Sequence, residues 1–339
     1  MEELLQKVYQ QNSLSEEEMY AVAQEIFSGK VSVPKLAAFL MALKIKGETI
    51  EEIAGISMAM QQAAVHLPYK KHDAMDNCGT GGDKSNSFNI STTSAFVLAA
   101  GGIKMAKHGN RSISSQSGSA DVCTELGIEV ELSRAKMADL LDKIGIVFLF
   151  APHMHPNMKY VMEVRKELKT PTIFNLIGPL TNPVSLKAQL MGIYRRDLLV
   201  QMAEVLKKIG RERAIVVNGA GNMDEASLMG ENHYALLENG QVKTAVFTPE
   251  EVGLKRMPAE AIRGGDAKCN AQIVKDVLAN QAGAYLDTVL LNAGLGFFAY
   301  GLVSSIKKGV ELARDVIASG AAQRKLEDLL MTQKEILAE

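Results

Sequence analysis

Two stretches rich in Gly, Ser, Thr and Asn, Asn77 to Ser94 and Lys107 to Ser119, are separated only by a short apolar helix and an apolar strand. The first, NCGTGGDKSNSFNISTTS, is interrupted by Cys78, Phe88 and Ile90 alone, and the second, KHGNRSISSQSGS, by Ile113 alone. Plain connections are seldom this long or this hydroxyl-rich. Backbone N–H groups freed at glycines and at helix N-termini are what proteins turn toward phosphate, so the two stretches read as a divided phosphate-binding site. Gly79-Thr80-Gly81-Gly82-Asp83 supplies glycines that accept positive φ and bring backbone close to an anion, although a tight structural turn uses the same residues. No Gly-Lys-Ser/Thr follows, so this is not a Walker A loop. Asn89-Ile90-Ser91-Thr92 stands just before AFVLAA, where its hydroxyls either cap that helix or join its N–H groups around a phosphate. Ser117 and Ser119 repeat the arrangement before a helix expected to begin near Asp121.

Three further groups could do chemistry. Lys107-His108-Gly109-Asn110-Arg111 puts two cations, an imidazole and an amide around one glycine, a set that suits a pyrophosphate or sugar phosphate or, equally, a solvated basic turn. Asp224-Glu225 follows AIVVNGAGN, so two adjacent carboxylates at the end of a buried strand either hold Mg²⁺ or are surface charge. Arg165 lies in MKYVMEVRKELK, and its neighbours three and four residues away, Val161, Met162, Leu168 and Lys169, are not acidic. A local helix ion pair therefore cannot account for it, and its guanidinium is left to reach a carboxylate from a ligand or a distant part of the fold. His153 and His155 read as structural rather than metal ligands.

The elements that must position these groups fall into two kinds. From Ser15 to about Gln62 the pattern is helical, with Ser15-x-x-Glu18 and Thr49-x-x-Glu52 as capping boxes and Gly29 and Gly47 as helix ends. The segment LAAFLMALKIKG is apolar nearly all round, so one face is expected to pack on another domain or a second subunit, and a homodimer through this unit follows. After Tyr69 the strand-like runs IKMA, IVFLFA, AQLMGIY and AIVV alternate with helical patterns, which predicts a largely parallel α/β sheet. HYALLENGQVKTAVF reads as a hairpin turning at Asn239-Gly240, and the C-terminal stretch as helices. Strand-loop-helix units put their loops at the carboxyl edge of the sheet. The loops after Met75-Asp76, after IKMA (Lys107 to Asn110), after IVFLFA (Pro152 to Asn157) and after AIVV (Asn218 to Glu225) therefore share one edge. The expected division is a helical domain over 1–68, joined by part of 165–190, and an α/β domain over 69–339.

At 339 residues and 47% apolar content the chain can bury two cores. Its 37 Lys and Arg against 39 Asp and Glu, net charge −2 and pI near 6.4 give no global pull toward nucleic acid or an acidic membrane. Cys78, Cys123 and Cys269 are odd in number and scattered, which argues against a disulfide framework or a structural zinc and fits a reducing, cytoplasmic setting. MEELLQKVYQQ does not resemble an export signal, and no apolar run reaches the roughly 20 residues a bilayer requires.

Taken in order and spacing, GTGGD, NIST, KHGNRSISSQSGSAD, VRKELKTPTIFNLIGPLTNP and NMDEASL resemble the anthranilate phosphoribosyltransferases, and the likeness extends through AFLMALKIKGETIEEIAG and LLNAG to VELARDVIASG. The resemblance implies a small N-terminal helical domain beside a large α/β domain with a mostly parallel central sheet, as in nucleoside phosphorylase-like phosphoribosyltransferases. It implies transfer of phosphoribose from 5-phosphoribosyl 1-pyrophosphate to the amine of anthranilate, giving N-(5'-phosphoribosyl)anthranilate and pyrophosphate in tryptophan biosynthesis, with Mg²⁺. Gly79, Gly82, Asp83, Ser87, Asn89, Ile90, Ser91, Thr92, Lys107, His108, Gly109, Asn110, Arg111, Ser112, Ile113, Ser114, Ser115 and Ser119 would then contact phosphoribosyl pyrophosphate. Gly79, Asn110 and Arg165 would contact anthranilate, and Ser91, Asp224 and Glu225 would hold the metal. No residue is implied as a proton-transfer catalyst. The chain departs from the family pattern at Ser87, where Thr is frequent, at Gln116 and Pro171, where cations are frequent, and at Asn218, where His is frequent. A pyrimidine nucleoside phosphorylase and a non-catalytic nucleic-acid-binding relative are the competing readings.

Overall fold

A computed structural model describes residues 2–111 and 116–338 of the chain. Four helices open it: α1 Glu2–Tyr9, α2 Glu16–Phe27, α3 Val33–Lys46 and α4 Ile50–Gln62. Both expected capping boxes form, with Glu18 N donating to Ser15 Oγ (3.2 Å) and Glu52 N to Thr49 Oγ1 (3.3 Å), each answered by the Glu side chain. Glu52 does more than cap. Fully buried, it accepts from Leu14 N (3.0 Å) and pairs with Lys46 Nζ (2.8 Å), so one carboxylate ties the chain before α2 to the turn between α3 and α4. The apolar stripe Leu36, Phe39, Leu40 and Leu43 of α3 faces inward, while Ile45 on the same helix is 73% exposed.

The rest of the chain winds around a single sheet. In chain order it contains β1 Ala74–Asp76, α5 Ile90–Ala100, β2 Lys104–Gly109, α6 Ser119–Glu125, α7 Arg134–Lys143, β3 Ile146–Phe150, α8 Ala151–Met154, α9 Lys159–Leu168, β4 Leu186–Gly192 and α10 Leu199–Lys208. Then follow β5 Arg213–Asn218, β6 Asn232–Glu238, β7 Gln241–Phe247, α11 Ala267–Leu278, α12 Ala284–Tyr300, α13 Ile306–Ala318 and α14 Ala321–Ala338. The strand order is β3-β2-β1-β4-β5-β6-β7, with the first five strands parallel and the last two antiparallel. The parallel strands are the continuous apolar runs of the sequence because both their faces are covered. The hairpin turns at Asn239 (φ 51°) and Gly240 (φ 71°), the positive-φ pair that matches strand twist in a two-residue loop.

One face of the sheet packs on α5 and α11 to α14. The other packs on α10, and this second core runs on without a break into α1 to α4, α9 and the segment Ile173 to Leu180. Strands are added outward in opposite directions on either side of the β1–β4 boundary, which makes it the switch point where ligands of open α/β sheets bind.

Candidate active site

The loop after β1 and the loop after β5 meet at that switch point. Thr80 N donates to Gly192 O (2.9 Å) at the end of β4, which draws the GTGGD loop across the sheet edge. Gly192 has room for no side chain, since a Cβ there would lie 1.4 Å from Asp224 O; at Gly79 it would lie 2.3 Å from Asp224 Oδ2. The glycines thus serve less as a bare nest than as a floor on which the acidic pair rests. Gly81, at φ 67°, donates its N–H to Asp224 Oδ2 (2.6 Å), Asp224 N points to Asp83 Oδ2 (3.4 Å), and Ser91 N in the first turn of α5 donates to Glu225 Oε1 (2.9 Å).

Three carboxylates therefore crowd one part-buried corner. Burial first, and then the charge of Asp83, push Asp224 up to about 7. Burial, followed by Asp224 and Asp83, pushes Glu225 well above the usual carboxylate range. Like charges this close disfavour one another's ionisation, and a cation among them would relieve it. An all-oxygen donor set of this kind suits a hard divalent ion such as Mg²⁺. A small cavity opens here, lined by Asn77, Ser91, Gly192, Asp224, Glu225 and Asn292.

A second cluster stands at the end of β2. Ser119 Oγ donates to Asn110 O (3.1 Å) and accepts from Asn110 N (3.1 Å), and a Cβ on Gly109 would lie 2.2 Å from that hydroxyl. Arg111 pairs with Asp121 (2.9 Å) rather than standing free. Lys107, on β2 itself, is 2% exposed, and its Nζ donates to the carbonyl of His108 at 3.3 Å. Among the described residues it has no ion pair, although buried cations are ordinarily paired. Ser112, Ile113, Ser114 and Ser115 lie outside the described residues.

Two expectations about helix starts are corrected. The hydroxyls of Ser91 and Thr92 do not cap α5, which begins at Ile90 with Asn89 as N-cap residue; the Asn89 side chain is drawn instead to Asn270 of α11 (2.8 Å). Helix α6 begins at Ser119, two residues before Asp121, because Asp121 Oδ2 reaches back to the N–H of Gly118 (2.9 Å) as a capping partner.

Other positions are placed as follows. A Cβ on Gly82 (φ 85°) would lie 3.5 Å from Tyr194, Ser87 Oγ accepts from Ser85 Oγ (3.1 Å), and Asn218 is buried, with its amide donating to Ile193 O (2.8 Å) and accepting from Arg196 Nε (2.9 Å). Arg165 sits half-buried on α9 with no ion pair among the described residues, and burial lowers the pKa of its guanidinium.

Three neighbours of the site carry no mark as functional residues in the sequence motifs. Asp76, fully buried, accepts from Asn77 N (2.7 Å), His108 N (3.2 Å), Cys78 Sγ (3.2 Å) and Asn182 Nδ2 (2.9 Å). Asp76, Cys78 and His108 lie close enough together to suggest a metal site, but donors already engage both Asp76 oxygens, which makes the cluster a hydrogen-bond hub. Asn182 carries GPLTN, the stretch after α9, to that hub. His155 lies edge-on to His108, with ring centroids 5.2 Å apart. Burial holds both imidazoles neutral, His108 down to about 4 and His155 to about 3. The available signal for Asp76 and Asn182 was their place beside GTGGD and inside GPLTNP; His155 had none.

Residues 71–323 match the Glycosyl transferase family, a/b domain, and residues 2–64 match the Glycosyl transferase family, helical bundle domain. The chain is 68% identical over 338 residues to the anthranilate phosphoribosyltransferase of Listeria monocytogenes serovar 1/2a, covering 100% of both. The chain belongs to the anthranilate phosphoribosyltransferase family. Among solved anthranilate phosphoribosyltransferases, that of Thermus thermophilus superposes with a TM-score of 0.93 at 41% identity, over 98% of this chain and 99% of that one. The Saccharomyces cerevisiae enzyme in complex with PRPP and Mg superposes with a TM-score of 0.86 at 26% identity, over 95% and 94%. The expected fold, a helical domain followed by an α/β domain with a mostly parallel sheet, is the fold of this family.

Proposed function

We propose that the corner formed by GTGGD, the first turn of α5 and Asp224-Glu225 is where this chain carries out its family's reaction. The chain transfers phosphoribose from 5-phosphoribosyl 1-pyrophosphate to the amine of anthranilate, releasing pyrophosphate. The observation that carries the reading is the interlock of part-buried Asp224 and Glu225 with the N–H groups of Gly81 and Ser91. It sets the proposed cation ligands directly against the two loops read as the phosphate cradle. Whole-length relatives favour this reading over the phosphorylase and nucleic-acid alternatives.

The bond from the ribose anomeric carbon to the pyrophosphate oxygen breaks, a bond from that carbon to the anthranilate nitrogen forms, and the amine gives up a proton. Charge builds on the leaving pyrophosphate, so fixed donors aimed there provide most of the acceleration. Lys107, which has no ion pair among the described residues, is suited to that task, with Gly79, Gly82, Asp83, Ser87, Asn89, Ile90, Ser91, Thr92 and 108–115 with Ser119 completing the donor site. Asp224, Glu225 and Ser91 would hold Mg²⁺, which neutralises pyrophosphate charge when bound. Arg165 and Asn110 position anthranilate beside Gly79. The aromatic amine is neutral at pH 7, so orientation rather than a strong base supplies the remaining advantage.

Residues 1–68 with part of 165–190 form the helical unit in this reading and 69–339 the α/β unit, supported by the two family matches and the shared core. A homodimer through the helical unit is supported by Ile45, Val33 and Tyr9, which lie exposed on it; light scattering should give twice 36.7 kDa. Among the described residues no helix is long and apolar enough to cross a membrane. The direct test is the decay of anthranilate fluorescence in the presence of protein, phosphoribosyl pyrophosphate and Mg²⁺. Decay that needs all three components supports the reading, and decay that persists without the donor or the protein rejects it.

A further inference from the structure

We infer that Asn292 is a positioning residue for the cation site: its side-chain amide grips the Ala226 peptide and so sets where the carboxylates of Asp224 and Glu225 stand. This rests on reading those two acids as the cation ligands.

Asn292 lies in the middle of α12, far from the site in sequence, and is 4% exposed. Its Oδ1 accepts from Ala226 N (2.9 Å), and its Nδ2 donates to Ala226 O (2.8 Å) and to Thr288 O (3.0 Å). Both amide hydrogens are used and the oxygen accepts from Ala226 N, so the side chain is committed to its grip on this peptide. What it does is hold both polar groups of one backbone residue, the one immediately after the acidic pair. The next residue is held the same way: Asn232 Oδ1 accepts from Ser227 N (2.6 Å), and its Nδ2 donates to Ser227 O (2.9 Å) and Gly230 O (3.0 Å).

The acidic turn is thereby backed by two buried amides and faced by Gly79 and Gly192. Asn232, the first residue of β6, ties the turn to the strand that directly follows it. Asn292 ties it to a separate element, α12, which is itself locked. A Cβ on Gly309 would lie 2.1 Å from Gly294 O, which presses α13 against α12, and a Cβ on Gly296 would lie 2.8 Å from Leu98 of α5. Helix α5 also carries Ser91, the N–H partner of Glu225. Without such an anchor the backbone carrying the two acids would be held from behind only by Asn232. The anchor keeps them converged before a cation arrives, and preorganisation of that kind appears as affinity.

The test counts free Mn²⁺, a paramagnetic stand-in for Mg²⁺, by electron paramagnetic resonance during titration of the whole protein. Asn292→Ala should weaken Mn²⁺ binding about tenfold. Asn292→Asp, which keeps the acceptor for Ala226 N and loses the donor to Ala226 O, should also weaken it. The Mg²⁺ concentration for half-maximal turnover should rise in parallel while the anthranilate KM stays put. Val289→Ala, one turn away and fully buried in the core, should lower the melting temperature without moving Mn²⁺ affinity. Wild-type Mn²⁺ binding by the Asn292 variants overturns the proposal, as does an equal loss in Val289→Ala, which would mean a general effect of a loosened helix. If Asn292→Ala does not fold, Asn292→Asp decides alone. If Asp224→Asn with Glu225→Gln binds Mn²⁺ like wild type, the assignment of the ligands fails, an outcome distinguishable from failure of the clamp alone.

Discussion

At the scale of single residues, charge without a partner is the most informative feature of the site. Arg165 has no acid on its own helix within reach and no ion pair elsewhere among the described residues, so its partner is proposed to be the acceptor carboxylate. A hydrogen bond to a charged group is worth about 1.5–3 kcal/mol. Arg165→Ala should therefore raise the anthranilate KM roughly 10- to 100-fold while leaving the phosphoribosyl pyrophosphate KM nearly unchanged. Steady-state kinetics with each substrate varied will check this, and an unchanged anthranilate KM rejects the role. Asp224 and Glu225 present the opposite problem, too much like charge. Asp224→Asn with Glu225→Gln should depress turnover and raise the Mg²⁺ requirement, yet raise the melting temperature of the metal-free protein near pH 8. The direction follows from Asp224. Its pKa is raised from 3.8 to about 7, so the stability tied to its neutral form is fully present below pH 3.8 and is lost as pH rises through about 7. Calorimetry across that range should find the loss in wild type and not in the double variant.

At the scale of elements, the site depends on how closely strand ends and loops can approach. The end of β4 and the loop after β5 touch through Gly192, whose missing side chain is the space occupied by the Asp224 carbonyl. Gly192→Ala should push that backbone away, at a cost of about 1–3 kcal/mol for an overpacked contact. Turnover should fall at least tenfold, with urea denaturation reporting the stability loss; normal turnover and an unshifted midpoint would show that the loop gives way freely. Buried parallel strands were legible as unbroken apolar runs, and the capping boxes of α2 and α4 as spaced pairs. The start of α5 was not, because Asn89, Ser91 and Thr92 are all good N-cap types, and a distant partner, Asn270, decides which of them sits there.

For the whole molecule, the second core binds the helical unit to the sheet through α9, the Ile173 to Leu180 segment and α10, while His155 and His108 meet edge-on in the interior. Both imidazoles are buried neutral, with pKa values depressed from 6.5 to about 3 and about 4. Their contribution to stability is present above pH 6.5 and is lost as pH falls through their folded values, at about 1.4 kcal/mol for each tenfold loss of proton affinity on folding. Thermal melts from pH 7 to pH 4 should show that loss. A His155→Gln variant, which cannot charge, should lose less over the same range; parallel melting curves for the two proteins would count against the pair. This window overlaps that of Asp224 with opposite sign, so the variants are needed to separate the two.

Sequence alone determined what is local or patterned: the strands, the caps, the hairpin at Asn239-Gly240, the glycine-rich loops and their common edge. It also carried the family, because long motifs in fixed order identify a common fold even where their contacts are unknown. The tertiary structure decided which groups face each other. Asn182 reaches Asp76 across 106 residues and Asn292 reaches Ala226 across 66, and no periodicity or spacing records such a meeting. It decided as well that the glycine floor cradles the protein's own carboxylates. Burial is a property of the assembled layers rather than of any segment, and burial is what raises the two acids and depresses the two histidines.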